Sequence, residues 1–200
     1  YFERSPADIL FESDQGKIKR PPIENKRVWA SLEKTPEEVI ADAFEEALHR
    51  DPTHEKKWVA LVDGNNTQIK ILRQLAKAKG IDLTIIVDVI HVIEYLWEAG
   101  RAFYPKSGPE LEKWVQHRLL KILHGKAGHM AGGMRRSATR KGLSDKEREP
   151  VDKCATYLLN KSPYLGYNQY LADGLPIGTG VIEGACRHLV KDRMEITGAK

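Results

Sequence analysis

The stretch Trp58–Asp88 reads WVALVDGNNTQIKILRQLAKAKGIDLTIIVD, and its pattern decides the fold class. Trp58 to Val62 is a continuous apolar run closed by Asp63-Gly64, and Leu83 to Val87 is a second such run closed by Asp88. Between them the apolar spacing predicts a helix over Thr67–Lys79, ended by Gly80 at a C-cap position. Strand, helix and strand in one short stretch form a βαβ unit, which requires parallel strands, buried on both faces and connected right-handedly. Both aspartates then leave the sheet at the carboxyl ends of its strands, the edge at which open α/β sheets hold their ligands. Each also has a plainer role. Asp63 suits the turn before Gly64, and Asp88 suits the N-cap of a helix over Val89–Phe103, with His91 at its third position.

Upstream, residues 1–26 are polar and hold Pro6, Pro21 and Pro22, the composition of a linker or partial N-terminal segment. Arg27 to Leu32 reads as a short strand. Thr35-Pro36-Glu37-Glu38 is a capping box with proline at the first helical position, and Val39, Ile40, Ala43, Phe44, Ala47 and Leu48 line one face of a helix to about Arg50.

Downstream, from Ser107 to Asp173, the pattern becomes all-helical. Ser107-Gly108-Pro109-Glu110 and Ser144-Asp145-Lys146-Glu147 both have the capping-box form, and Leu111, Trp114, Val115, Leu119, Ile122 and Leu123 make an amphipathic stripe ended by Gly125. The segments are therefore an α/β core over residues 27–104, a helical insertion over 105–175, and a return to the core over 176–200. In that last segment Pro176, Gly178 and Gly180 break the chain and Thr179 is placed as an N-cap. Val181, Ile182, Ala185, Leu189 and Val190 form a buried stripe, which puts Glu183 in the first turn of a helix. Its plainer role is to favour the helix dipole and pair with Arg187 one turn on.

The chain is 200 residues with 41% hydrophobic and 30% charged residues, the composition of a folded domain with one good core. Its apolar runs are too short to span a bilayer and no signal-peptide pattern opens it. Two cysteines, Cys154 and Cys186, fit a reducing compartment such as the cytoplasm. The formal charge is +4, but residues 117–148 hold nine Lys/Arg against two Asp/Glu, so that segment is a candidate polyanion-binding face. Within it, Arg135, Arg136, Arg140 and Lys141 are interleaved with small residues, a composition suited to close approach of phosphates; a solvated face is the competing reading. Tyr164, Tyr167 and Tyr170 could stack on bases, but their spacing favours packing.

The cysteines and histidines lack the paired spacing of a zinc site, and no P-loop, dinucleotide fingerprint or nucleophile elbow is present. What remains is carboxylate chemistry. Clustered carboxylates repel one another, and a divalent cation such as magnesium resolves that through oxygen ligands. A pair of such ions can activate an attacking oxygen and stabilise a leaving one at a phosphodiester.

Three motifs agree in order and spacing: Val62-Asp63-Gly64-Asn65, Asp88-Val89-Ile90-His91-Val92-Ile93-Glu94-Tyr95-Leu96-Trp97, and Thr179-Gly180-Val181-Ile182-Glu183-Gly184-Ala185-Cys186-Arg187-His188. Together they resemble the ISKra group of insertion-sequence transposases, relatives of the Mutator-type enzymes, from about Arg27 to Lys200. The resemblance implies a ribonuclease H-like core with a DDE triad, a helical insertion before the glutamate, and DNA cleavage and strand transfer dependent on magnesium or manganese. It implies bacterial, nucleoid-associated action on double-stranded DNA at element ends and on target DNA, by a homo-oligomer, with no membrane partner. By position, Asp63 matches the second aspartate and Glu183 the glutamate, both as catalytic residues and metal ligands. Asp88 and His91 match a D-x-x-H element beside the active site, with Arg187 near it; Lys191 and Arg193 join the insertion's cations as DNA contacts. Asp63 and Asp88 are 25 residues apart, which fits consecutive parallel strands and not the longer path between the triad's two aspartates. Asp8, Asp14 and Asp42 do not end strands either. The expectation is an incomplete ribonuclease H-like core that holds two of three triad acids, binds metal weakly, cleaves DNA at or near background as it stands, and exposes a strand edge prone to association. The alternatives are a DNA-binding module without catalysis and a metal-dependent phosphohydrolase.

Overall fold

The computed structural model describes residues 24–28 and 31–179. The chain is mixed α/β and mostly helical, with a two-stranded parallel sheet among the described residues. It divides into two compact units, one up to Ile85 and one from Ile86.

In the first unit, α1 spans Pro36–Arg50, β1 Trp58–Val62 and α2 Asn66–Lys79, and β2 runs Leu83–Val87 across the division. The α1 capping box forms as its sequence predicts: Glu38 N–H donates to Thr35 Oγ1 at 3.3 Å and Thr35 N–H donates to the Glu38 carboxylate at 2.7 Å. At the far end Asp51 is the C-cap, buried, and accepts from Glu55 N–H, Lys56 N–H and the Trp58 indole, the last at 2.8 Å. The indole is the main reason its carboxyl lies below the usual range. Trp58 also packs against Phe44, ring centroids 5.9 Å apart, so one tryptophan ties the start of β1 to α1.

Asn65 caps α2 by accepting from Thr67 N–H and Gln68 N–H, and the helix starts one residue earlier than its periodicity implies. Gly80 ends it in the left-handed region at φ 67°, with Ile81 N–H returning to Ala76 O, a Schellman closure that a side chain would strain. The strand expected over Arg27–Leu32 is not formed at its described positions 27, 28, 31 and 32. Val28 is 81% exposed and Leu32 fully exposed, so neither apolar side chain gains the burial that would offset ordering a strand. Instead Arg27 pairs with Glu46 of α1 at 2.6 Å.

The second unit is a helical bundle: α3 Val89–Phe103, α4 Pro109–Leu123, α5 Ala127–Arg140, α6 Asp145–Asn160, a 3₁₀ turn at Ser162–Tyr164 and α7 Tyr167–Ala172. Helix α3 is its centre, packing on α4 and α6, with α5 against α6 and α4. It buries Val92, Ile93, Leu96, Trp97 and Phe103, side chains that stabilise by about 1.5–3 kcal/mol each when fully buried. α3 and α4 approach closely because position 100 is glycine: a Cβ there would meet Leu111 Cδ1 at 2.6 Å and the Trp114 ring at 3.1 Å. The α6 capping box at Ser144 and Glu147 forms, whereas the one expected at Ser107 does not. Pro109 takes the first helical position, which makes Gly108 the N-cap and leaves Ser107 one residue too early.

The bundle closes on β2. The Tyr167 side chain is fully buried and its hydroxyl donates to Val87 O at 2.7 Å, so Tyr167 is packing, as its spacing predicts, with Tyr170 edge-on to it. Leu175 and Ile177 are buried beyond α7, and Val89 N–H donates to Ile177 O at 2.9 Å. The chain thus returns to the start of α3 after the whole bundle has been traversed.

Candidate functional site

Asp63 directly follows β1 and is exposed. Its Oδ1 accepts from Asn65 N–H at 2.7 Å, and Gly64 follows at φ 94°, so the turn reading is realised in full. That turn presents the carboxylate beyond the strand end and sets up the Asn65 cap of α2.

Asp88 directly follows β2 and is only 3% exposed. A carboxylate so buried must be satisfied by donors, and here three are in place. Oδ1 accepts from Ile90 N–H at 2.8 Å as the N-cap of α3. Oδ2 accepts from Thr179 N–H at 2.9 Å and from the Thr179 hydroxyl at 2.6 Å. Thr179 donates its hydroxyl proton to Asp88, and the helix it was expected to cap lies outside the described residues. Nothing local in the sequence marks this pair, because its members are 91 residues apart. His91 lies in the first turn of α3 and faces Glu94, Nδ1 to Oε2 3.1 Å, with its side chain 41% exposed.

Four basic candidates sit on or beside α5, and they divide into two pairs. Arg135 is engaged within the bundle: Nε meets Asp152 Oδ1 at 3.2 Å and a terminal nitrogen donates to Thr156 at 2.8 Å. Asp152 also takes Arg148 at 2.8 Å, and these arginines, Arg148 foremost, hold its carboxyl below the usual range. Lys141 donates to Phe103 O at 3.1 Å and lies over the Tyr104 ring. Arg136 and Arg140, by contrast, stand exposed on the outer side of α5. Gly128 and Gly132, on the same helix, would meet nothing within 4 Å if given a Cβ. The outer side of α5 is thus low in relief and cationic, a shape that lets a phosphate backbone come close.

No family model, curated protein or solved structure matches the chain.

Glu183, Arg187, Lys191 and Arg193 lie outside the described residues. Among the described residues no group of three or more His, Cys, Asp or Glu gathers as a metal site would require. Asp63 alone of the two expected ligands is described, and as an exposed carboxylate it is an oxygen donor of the type magnesium takes. No helix among the described residues is long and apolar enough to cross a membrane.

Two groups of the bundle, half-buried Arg118 and buried Cys154, have strongly shifted protonation. The Arg118 guanidinium stacks 3.6 Å over the Trp114 ring, and burial pushes its pKa down to about 10. Burial pushes the Cys154 thiol up to about 12, which makes it a packing residue and not a nucleophile.

Proposed function

We propose that this chain is the core of a DDE transposase with a ribonuclease H-like fold, cutting element-end DNA and joining it to target DNA. The observation that carries the reading is the Asp88–Thr179 pair. It brings the beginning of the Thr179–His188 motif back to the carboxyl end of β2, on the far side of a purely helical bundle. An insertion placed between a core strand and the glutamate-bearing stretch has to return the chain in this way. The parallel βαβ unit with Asp63 immediately after β1 supports the same reading, since open α/β sheets carry their chemistry at that edge.

In this reading Asp63 and Glu183 hold magnesium or manganese, with Arg187 and His91 beside them. The bound ions supply activation of the attacking oxygen and stabilisation of the leaving oxygen. The turn from Asp63 to Asn65 fixes where one of these carboxylates stands. Arg136 and Arg140 contact phosphates, joined by Lys191 and Arg193; Arg135 and Lys141 act first as braces of the bundle and only secondarily on DNA. The protein works as a homo-oligomer on double-stranded DNA in a bacterial cytoplasm, at the nucleoid.

The test is a three-way assay on the protein supplied with all three triad acids. A labelled duplex carrying an element end is incubated with magnesium or with chelator, binding is followed in parallel, and a small aryl phosphate is offered separately. Magnesium-dependent strand cleavage supports the transposase. Salt-sensitive binding with no cleavage in any metal contradicts it in favour of a DNA-binding module. Turnover of the aryl phosphate without cleavage contradicts it in favour of a phosphohydrolase.

A further inference from the structure

Arg118 and Lys141 come to the C-terminal end of α3 from two different helices. Arg118, half-buried on α4, holds its guanidinium 3.6 Å over the Trp114 ring and donates one N–H to Trp114 O at 3.1 Å. Lys141, the C-cap of α5, lies 5.1 Å from the Tyr104 ring and donates to Phe103 O at 3.1 Å. The Trp114 and Phe103 rings pack at 5.3 Å between centroids, and Tyr104 acts on both cations, so the two side chains belong to one patch. Neither pairs with a carboxylate among the described residues.

We infer that Arg118 and Lys141 together hold one phosphate group, a backbone phosphate of DNA; that source of the phosphate rests on the transposase reading. A charge drawn partly out of water is ordinarily offset by an anion. Here the groups that counter the desolvation of Arg118 are the Tyr104 phenol and the Cys154 thiol, not a carboxylate. The negative ends of α3 and α5 balance about half a charge each, which leaves about one positive charge for a ligand. A guanidinium has five N–H donors and an ammonium three, and one of each is used inside the protein. A phosphodiester supplies one negative charge and two free oxygens that suit the guanidinium fork. A stacked base does not fit, because the guanidinium covers Trp114, and Trp114 and Phe103 are each 7% exposed. Nucleic acid is favoured over an acidic peptide by the setting: residues 117–148 hold nine Lys/Arg against two Asp/Glu, and exposed Arg140 directly precedes Lys141.

The experiment follows binding of the full chain to a labelled duplex over a range of salt, with Arg118→Met, Lys141→Met, the double variant and Arg118→Lys. In parallel, inorganic phosphate is titrated at fixed ionic strength while the Arg118 side-chain N–H resonance is observed. Each methionine variant is expected to weaken DNA binding roughly tenfold or more at low salt, as the loss of a charge-assisted hydrogen bond does. The log–log salt slope of the double variant should flatten by about 0.9, one phosphate for both cations; about twice that change means two separate phosphates and overturns the shared site. Arg118→Lys should keep the slope and lose affinity, since it retains the charge without the fork. Unchanged DNA affinity in Arg118→Met, with or without a lower urea midpoint, makes Arg118 a brace of α4 and overturns the proposal. Inorganic phosphate should move the Arg118 resonance in the unaltered chain, and a resonance that stays still overturns the site itself. Movement in a chain that binds no DNA keeps the phosphate site and takes down the transposase reading instead, so the two failures are told apart.

Discussion

Replacing Tyr167 with phenylalanine removes one oxygen and leaves the ring that fills the site. The Tyr167 side chain is fully buried and its hydroxyl donates to Val87 O at 2.7 Å, joining the last helix of the bundle to the end of β2. Phenylalanine keeps the packing and opens no sizeable cavity. The loss is therefore a buried carbonyl deprived of its donor, about 1–3 kcal/mol, and not the larger penalty of a truncated core. In urea the midpoint should fall with an unchanged slope, since the surface exposed on unfolding is the same. By heat the same loss corresponds to about 2–4 °C for each kcal/mol in a chain of this size. Tyr170→Phe is the control: the ring lies edge-on to Tyr167 but is only partly buried, and a change within about 0.5 kcal/mol is expected. Equal stability of Tyr167→Phe and the unaltered protein would refute the assignment of that hydrogen bond. Burial also raises the Tyr167 pKa well above its ordinary value. A group raised in the folded state keeps its full contribution below its unfolded pKa and loses it as pH rises toward the folded one, so this contribution declines above about pH 10.

Further outcomes follow from other residues. Gly100→Ala should destabilise by about 0.5–2 kcal/mol, because the clash with Leu111 and Trp114 outweighs a helix-propensity gain of about 1 kcal/mol. Gly128→Ala and Gly132→Ala, with open space around them, should instead stabilise by up to about 1 kcal/mol, as urea unfolding would reveal. Cys154, raised to about 12 by burial, should resist thiol reagents until the protein unfolds, and in Cys154→Ala the fall in stability between about pH 9 and 12 should be shallower. Neutralising Arg136 and Arg140 together should weaken DNA binding regardless of sequence and flatten its log–log salt dependence by about 0.9 for each phosphate that the protein no longer neutralises. The same change at Arg135 should chiefly loosen α5 from α6, which thermal unfolding would register.

The parts of the fold written in local patterns were legible. The βαβ stretch, the Thr35 and Ser144 capping boxes and the Gly80 stop all depend on residues within one or two turns of each other, and each formed. Where the pattern was weaker than its competitor it failed. Arg27–Leu32 has β-formers but nothing to bury them against at the described positions, and Ser107 was displaced as a cap by Pro109. Of the site, the local roles of Asp63 and Asp88 as turn and cap residues could be read directly. The Asp88–Thr179 pair could not, since a hydrogen bond spanning 91 residues leaves no periodic trace. Nor could composition separate Arg135 and Lys141, which brace the bundle, from Arg136 and Arg140, which face outward, because all four look alike until α6 and Phe103 are in place.

The most direct test of the central claim is single-turnover cleavage of a labelled element end by the protein supplied with all three triad acids and by its Glu183→Gln variant, at magnesium and protein concentrations that saturate binding. A metal-held oxygen contributes several kcal/mol to the transition state, and each 1.36 kcal/mol is a factor of ten, so removing the carboxylate should cut the rate by roughly a thousandfold or more. The account predicts that loss with DNA binding largely kept; robust cleavage by Glu183→Gln would contradict it.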